Sequence, residues 1–142
     1  MRGGEKVLEN ICSLYPDADI YTHILEKNKI SSTIKKHKIY TTFINKLPLS
    51  KKLYKHYLPL MPFALKRLNL LSYDLIISSE SGPSKGIVKN EDAIHICYCH
   101  SPMRYIWDMA NIYYNNFNFF EKVGYKSFIK YLKSWDIKSS AN

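Results

Sequence analysis

A histidine follows the end of a predicted strand, where α/β proteins often bind their ligands. The apolar run 93–99 (AIHICYC) predicts a buried strand, and His100 comes directly after it, with Ser101 and Pro102 suited to begin a helix. In open parallel sheets, ligands bind at the carboxyl ends of strands, beside helix N-termini. A neutral imidazole can exchange hydrogen bonds with a sugar hydroxyl near neutral pH. His100 is therefore a candidate ligand-binding residue, and the alternative is a structural histidine.

Glycines and an arginine lie at the starts of two predicted helices. Gly3 and Gly4 lie at the start of the first predicted helix, 4–15. Glycine lets a ligand approach the backbone there, and unpaired N–H groups favour a phosphate. The alternative there is an ordinary tight turn. Arg104 falls in the first turn of the helix predicted over 102–114, where its charge opposes the helix dipole. We therefore expect Arg104 to serve a ligand or a buried partner.

A turn-rich loop follows the apolar run 74–78 (DLIIS), which is typical of a buried parallel strand. The predicted loop, 79–86, begins at Ser79 and also contains Glu80 and Lys85. These side chains suit hydrogen bonds to sugar hydroxyls or to phosphate, and the alternative is a solvated loop. Ser79, Glu80 and Lys85 are the predicted substrate-binding residues of this segment.

His95, Cys97 and Cys99 alternate along the strand predicted over 93–99, which raises the question of a metal site. Residues two positions apart on a strand are separated by about 6.6 Å, so the outer pair is separated by about 13 Å. Zinc requires its ligands within about 2.3 Å of one point. The spacing therefore favours buried strand cysteines, and no metal is expected. Together with Cys12 these cysteines number three, an odd count that does not predict a disulfide framework.

Alternating strand and helix patterns predict a Rossmann-like, doubly wound parallel sheet formed by a single domain, 1–142. The predicted helices are 4–15, 50–68 (interrupted at Pro59 and Pro62), 102–114 and 120–139. The predicted strands are 18–24, 38–44, 74–78 and 93–99.

The composition indicates a globular chain with an anionic partner. Hydrophobic residues make up 46% and charged residues 23%, which argues against a disordered chain. No apolar run approaches the roughly 18 residues of a membrane span. The first residues have no apolar segment behind them, so a secretory signal is not predicted and a cytoplasmic location is expected. The net charge of +9 suits nucleic acid, anionic lipid or phosphorylated ligands and does not choose among them.

The segment 46–67 carries six lysine or arginine residues and no acidic residue. Its interleaved aromatic residues suit single-stranded nucleic acid, but no nucleic-acid-binding motif accompanies them, so a nucleic-acid-binding module is the alternative function. Its apolar residues favour contact with an anionic membrane, where each cation contributes about 1 kcal/mol of attraction. A solvated, lysine-rich surface explains the charges equally well. The lysines of the last helix are predicted to form a solvated face: Lys122, Lys126, Lys130 and Lys133.

Four segments resemble, in the same order, the amino-terminal domain of family 4 glycosyltransferases: MRGGEKVLENICSLYPDADIYT, KLYKHYLPLMPFAL, YDLIISSESGPSKGI and HICYCHSPMRYIWD. The resemblance covers nearly the whole chain and is to bacterial polysaccharide and O-antigen sugar transferases, often mannosyltransferases. It implies one half of a retaining GT-B enzyme, with two Rossmann-like domains, an active site in the cleft between them and usually no metal. The amino-terminal domain mainly holds the acceptor, and the carboxyl-terminal domain holds the nucleotide sugar.

The resemblance also implies roles for individual residues. His100 matches the histidine that relatives place against the transferred sugar, which makes it the predicted catalytic residue. Gly3 and Gly4 match the glycine loop near the donor diphosphate, and 79–86 with Lys85 matches a cleft-facing loop. The implied reaction transfers a hexose, with GDP-mannose as one candidate donor and no other cofactor. Its acceptor is a glycan or a lipid-linked sugar at the inner face of the plasma membrane.

Two departures from the relatives lead to further expectations. In relatives a central strand precedes the glycine loop, and this sequence has Met1 at that place. We therefore expect a gap between the strands 18–24 and 74–78. Relatives also continue beyond the last helix into a donor domain, which carries an acidic motif that handles the nucleotide sugar. The 142 residues are therefore expected to be truncated at both ends and inactive alone.

Overall fold

The computed structural model describes residues 3–80, 82–115 and 119–140. Strands and helices follow one another along the chain. The strands are β1 (Ile20–Thr22), β2 (Ile39–Thr41), β3 (Leu75–Glu80) and β4 (Ile94–Cys99). The α-helices are α1 (Gly3–Leu14), α2 (Ser32–Lys35), α3 (Ser50–Leu53), α4 (Met61–Lys66), α5 (Ala110–Asn115) and α6 (Phe119–Ser139). Three 3-10 helices cover Phe43–Lys46, Tyr54–Leu60 and Ser84–Gly86.

The four strands form two parallel pairs. β1 pairs with β2, with Ile20 opposite Ile39, and β3 pairs with β4, with Leu75 opposite Ile94. The mixed α/β class is therefore confirmed, with all strand pairing among the described residues parallel. The complete doubly wound sheet is not formed by the described residues, because β1 and β3 do not pair with each other and no strand lies between them.

Three apolar clusters hold the helices against the strands. The first contains Cys12, Ile20 and Ile34, which join α1 and α2 to β1. The second contains Ile44, Met61 and Ala64 and packs α4 against the 3-10 helix Phe43–Lys46. The third contains Met103, Ile106 and Leu132 and packs the segment after β4 against α6. Each fully buried aliphatic side chain contributes about 2 kcal/mol to folding relative to an exposed one.

Tyrosine hydroxyls connect the two strand pairs at the edge where their strands begin. The Tyr73 hydroxyl donates to the Asp19 carboxylate at 2.5 Å and lies 3.0 Å from the Tyr21 hydroxyl. Asp19 immediately precedes β1 and Tyr73 precedes β3 by two residues. The adjacent carboxylate and the shared hydrogen bonds raise the pKa of the Tyr73 phenol. The phenol therefore remains protonated, as its role as a donor requires.

Prolines interrupt the helical segment 50–68 as predicted. Pro59 lies inside the 3-10 helix Tyr54–Leu60, and Pro62 is in the first turn of α4. A proline inside an α-helix removes one backbone hydrogen bond and its ring meets the carbonyl four residues earlier. The chain therefore forms three short helical pieces over this segment.

The helix predicted over 102–114 is wrong over 102–109, since α5 covers only Ala110–Asn115. Between β4 and α5 the chain forms turns in which the N–H groups of Ile106 and Trp107 both donate to the Met103 carbonyl. Met103 and Ile106 are buried against α6. Tertiary packing therefore outweighs the local preference for a helix that Ser101 and Pro102 indicate.

The prediction that β4 is a buried strand is also wrong. Ile94, Ile96 and Tyr98 share one face, and each is half or more exposed to solvent. Cys97 and Cys99 are exposed as well, whereas Cys12 is buried. The physical reason is that, among the described residues, β4 pairs only with β3, which leaves Ile94, Ile96 and Tyr98 half or more exposed.

We predict that Gly86→Ala destabilises the fold by about 2 kcal/mol, because a methyl group there overpacks the contact with α6. A Cβ at this position would overlap Cζ2 of Trp135, so the indole ring must move. Urea unfolding measures the change in the free energy of unfolding. Gly82→Ala is the control, since the nearest heavy atom, the Tyr105 hydroxyl oxygen, is 3.9 Å away. Equal losses in the two variants would contradict this packing role.

Candidate functional site

The carboxyl ends of β3 and β4 bring two of the predicted residues into contact. Nε2 of His100 lies 3.0 Å from Oγ of Ser79. Ser79 is opposite Tyr98 in the parallel register, so His100, two positions further on, extends from the same face of the strand pair. The ring of Tyr98 meets the His100 ring edge-on at 5.0 Å between centroids. The imidazole is thus held by a hydroxyl and an aromatic ring while remaining exposed to a ligand.

The beginning of α1 lies against this histidine. A Cβ added at Gly4 would be 3.4 Å from Nε2 of His100, so glycine leaves the space beside that nitrogen open. Gly3 is exposed, and a Cβ added there would meet no heavy atom within 4 Å. Gly4 therefore lies beside His100, whereas no neighbour of Gly3 is found within that distance. Serine and histidine face a helix start, where unpaired N–H groups carry a positive partial charge.

This arrangement suits a ligand that carries hydroxyl groups and a negative charge. The imidazole and the serine hydroxyl can each donate or accept a hydrogen bond, and the proton position depends on the tautomer of His100. The helix start favours an anion such as phosphate or a diphosphate. An exposed imidazole beside an anion-binding position can therefore bind a phosphorylated sugar or assist proton transfer to its hydroxyl groups.

Glu80 faces the interior, away from His100. It is buried, and its carboxylate accepts hydrogen bonds from the backbone N–H groups of Ser84 and Lys85, the second at 3.2 Å. Burial raises the pKa of this carboxyl, and the two N–H groups oppose that rise. Glu80 therefore shapes the turn after β3. It lies in the strand and not in the predicted loop, and its predicted contact with substrate stays a prediction.

Lys85 is bound to α6 by an ion pair. Its Nζ lies 2.6 Å from Oδ1 of Asp136 and donates to Oγ of Ser140 at 2.7 Å. Asp136 also accepts a hydrogen bond from the indole N–H of Trp107 at 2.8 Å. The Lys85 and Asp136 side chains are only 20% and 10% exposed. Breaking a largely desolvated ion pair is costly, so this contact holds Lys85 against α6. Its predicted role in substrate binding stays a prediction.

The Arg104 side chain contacts Met109. Its side chain is exposed, and Nη2 is 3.1 Å from the sulfur of Met109. The helix start that was predicted to surround Arg104 is replaced by turns. The predicted conflict with a helix dipole therefore does not arise at this residue, and its predicted role in substrate binding stays a prediction.

A second histidine at the same kind of position escaped the sequence analysis. His23 directly follows β1, and its Nδ1 lies 3.1 Å from Oγ1 of Thr42. Its Nε2 is buried without a hydrogen-bond partner in the described structure, and burial lowers the pKa of this imidazole to about 4. The predicted strand 18–24 placed His23 inside a strand. A strand that ends at Thr22 would place His23 at a strand end, and this position is the sequence signal that indicates a candidate site residue.

Other polar side chains meet on the inner face of the β3–β4 pair. Nε2 of His95 lies 2.7 Å from Oγ of Ser78, and the Cys97 thiol lies 3.9 Å from Oε1 of Glu80. Partial desolvation lowers the pKa of His95 and, together with the nearby Glu80 carboxylate, raises the pKa of the Cys97 thiol, although the residue is exposed overall. Within 3–80, 82–115 and 119–140, no group of three or more His, Cys, Asp or Glu side chains could hold a metal ion. His95 pairs with Ser78, and Cys97 lies beside Glu80.

Comparison with protein-family models, curated proteins and solved structures finds no match for this chain.

We predict that His23 makes the fold sensitive to acid. Because burial lowers its pKa from 6.5 to about 4, the folded protein binds fewer protons than the unfolded chain between these values. The contribution of His23 to the free energy of unfolding is therefore fully present above pH 6.5. It falls as the pH decreases towards 4, by about 3 kcal/mol in total. Urea unfolding at both pH values measures this difference.

His23→Gln keeps a neutral polar side chain and should make the free energy of unfolding less dependent on pH over this range. His56→Gln is the matched control, because His56 is exposed. An unchanged pH dependence in His23→Gln would show that other groups cause the acid sensitivity.

Proposed function

We propose that this chain forms the acceptor-side half of a retaining, nucleotide-sugar-dependent glycosyltransferase. The observation that carries the proposal is the contact between His100 and Ser79 beside the glycine-rich start of α1. Three segments that are far apart in the sequence supply these groups. Each of them belongs to one of the segments that resemble family 4 glycosyltransferases. The proposed reaction transfers a hexose, with GDP-mannose as a candidate donor, to a glycan or lipid-linked acceptor.

Each group has a distinct task in this proposal. The backbone N–H groups at Gly3 and Gly4 bind the donor diphosphate, because a helix start favours negative charge. His100 exchanges a hydrogen bond with a hydroxyl of the transferred sugar in the transition state. Ser79 holds the imidazole ring and selects its tautomer through the 3.0 Å contact at Nε2. His100 is the catalytic residue, and Ser79 is a positioning residue.

In this proposal a second domain binds the nucleotide and closes the cleft. We expect no sugar transfer by the 142-residue chain alone, because half of the groups that bind the donor are then missing. Robust turnover of GDP-mannose by the purified chain would contradict the assignment to an acceptor-side half.

In a complete enzyme, with a central strand ahead of α1 and the carboxyl-terminal domain of a family 4 glycosyltransferase, His100→Ala should lower kcat by roughly 10². That factor is typical for one hydrogen-bond donor that acts only in the transition state. A radiolabelled sugar-transfer assay with a lipid-linked acceptor measures it, with His56→Ala as the control for an exposed histidine. A loss below about threefold would identify His100 as a structural residue.

A basic surface, defined here as Lys51, Lys52, Lys55, Lys66 and Arg67, fits the proposed lipid-linked acceptor. All five side chains are exposed. Exposed apolar side chains lie along the same stretch of the chain: Leu49, Leu53, Leu60 and Phe63. The Arg67 guanidinium lies over the Phe63 ring, 4.5 Å from its centroid.

Exposed leucine and phenylalanine beside cations are typical of segments that lie at a membrane interface. We therefore favour an anionic membrane over nucleic acid as the partner of the basic surface, because a nucleic acid needs no exposed aliphatic side chains. Peripheral binding at the inner face of the plasma membrane follows from this proposal. Among the described residues, no helix is both long enough and apolar enough to cross a membrane.

The triple variant Lys51→Glu, Lys52→Glu, Lys55→Glu should abolish sedimentation of the chain with phosphatidylserine-containing liposomes, since each cation contributes about 1 kcal/mol near an anionic surface. The triple variant Lys35→Glu, Lys36→Glu, Lys130→Glu changes the net charge equally at other exposed positions and should bind nearly as well. Equal binding by both variants, or none by the unmodified chain, would contradict a membrane role. Tight binding of single-stranded DNA that weakens steeply with salt would favour the nucleic-acid alternative.

A further inference from the structure

Leu49 has a backbone conformation that leucine rarely adopts. Its φ of 50° and ψ of 25° are left-handed, and it is the one residue with a positive φ among those that the structure describes. In this conformation Cβ comes close to the following carbonyl oxygen, so glycine or asparagine is the usual residue. The turn itself therefore gives no reason for a leucine at this position.

Hydrogen bonds on both sides of Leu49 hold this conformation. The Tyr57 hydroxyl donates to the Pro48 carbonyl at 2.7 Å, and the hydroxyl of the buried Ser50 donates to the Asn45 carbonyl at 3.0 Å. The Leu49 carbonyl accepts from two backbone N–H groups of α3, each at 2.8 Å. A strained backbone persists only where the surrounding structure fixes it in this way.

The two leucines of this turn differ in their surroundings. Leu47 packs against the buried cluster of Ile44, Met61 and Ala64, whereas Leu49, two residues later, is 64% exposed. Because the backbone of the turn is already fixed, little further ordering is needed when a partner covers the exposed side chain. Leu49 therefore has the properties of a preorganised apolar anchor.

Exposed cations lie on both sides of this leucine in the sequence. Lys46, Lys51 and Lys52 are all exposed, and the segment 46–67 contains no acidic residue. An aliphatic side chain between cations matches the interface of an anionic bilayer, where lipid phosphates lie outside and acyl chains begin beneath them. Single-stranded nucleic acid instead stacks its bases on aromatic rings, which a leucine does not provide. The charges and the apolar tip together favour a bilayer.

We propose that Leu49 inserts its side chain into the acyl-chain boundary of an anionic bilayer while Lys46, Lys51 and Lys52 bind lipid phosphate groups. This inference rests on the proposed binding of the basic surface to a membrane, and it adds the inserting residue and the depth of contact. Insertion makes binding depend on buried apolar area as well as on charge. It also gives a reason for a leucine at the strained position, because glycine there would remove the apolar anchor.

The experiment measures sedimentation of the complete 142-residue chain and its variants with phosphatidylserine-containing vesicles. Leu49→Gly should lower the partition coefficient by roughly tenfold, the lower end of the effect of burying a leucine side chain. Its urea midpoint should be equal or higher, because glycine relieves the left-handed strain. Leu49→Asn, which also tolerates this conformation, should lose binding to the same extent. Leu14→Gly is the control and should bind normally, since Leu14 is 76% exposed at the end of α1, outside the segment 46–67.

Depth is measured with Leu49→Trp on vesicles that contain brominated phosphatidylcholine and phosphatidylserine. Its fluorescence should be quenched beyond that of the unmodified chain, in which Trp107 and Trp135 give the background. Normal binding by Leu49→Gly and Leu49→Asn, or no additional quenching at position 49, would overturn insertion while the binding of the basic surface stands. Quenching at position 49 by single-stranded DNA, without quenching by the brominated lipid, would assign the turn to nucleic acid and also overturn the proposal. Sugar transfer is tested separately through His100, so its failure is distinguishable from these outcomes.

Discussion

Parallel pairing of β3 with β4 is the constraint on which the candidate site depends. The register places Ser79 opposite Tyr98, so His100 extends from the same face two positions later and meets the serine hydroxyl. A shift of one residue would direct every side chain of one strand to the other face and separate the two groups. The bond from the His100 N–H to the Glu80 carbonyl continues the ladder one residue beyond β4 and fixes the histidine backbone.

The charged residues around this pairing divide into internal and external groups. Glu80 binds the backbone of the turn after β3, and Lys85 joins that turn to α6 through Asp136. Removing Lys85 or Asp136 would leave the other charge buried without a partner. The ion pair therefore stabilises the turn. The excess of positive charge is carried elsewhere, on exposed lysines such as Lys51 and Lys52.

Unpaired strand edges and exposed apolar side chains occur together among the described residues. In the part of the chain that the structure describes, β1 and β3 each pair with one strand, and β4 exposes Ile94 and Ile96. Free strand edges are sites at which another strand can add. Among the described residues the chain therefore forms a mixed α/β structure with two short parallel strand pairs.

The sequence alone determined the α/β class, the four strand segments and the placement of His100, Ser79 and Gly4 at one sheet edge. Short-range patterns suffice there, because alternating apolar runs and their order imply parallel strands whose carboxyl ends meet. The sequence did not show that Lys85 pairs with Asp136, that β4 is exposed, or that 102–109 forms turns. Those outcomes depend on contacts between residues far apart in the chain, such as Met103 and Ile106 with Leu132. Only the tertiary structure decides them, because long-range packing is stronger than the local preferences that a sequence pattern reports.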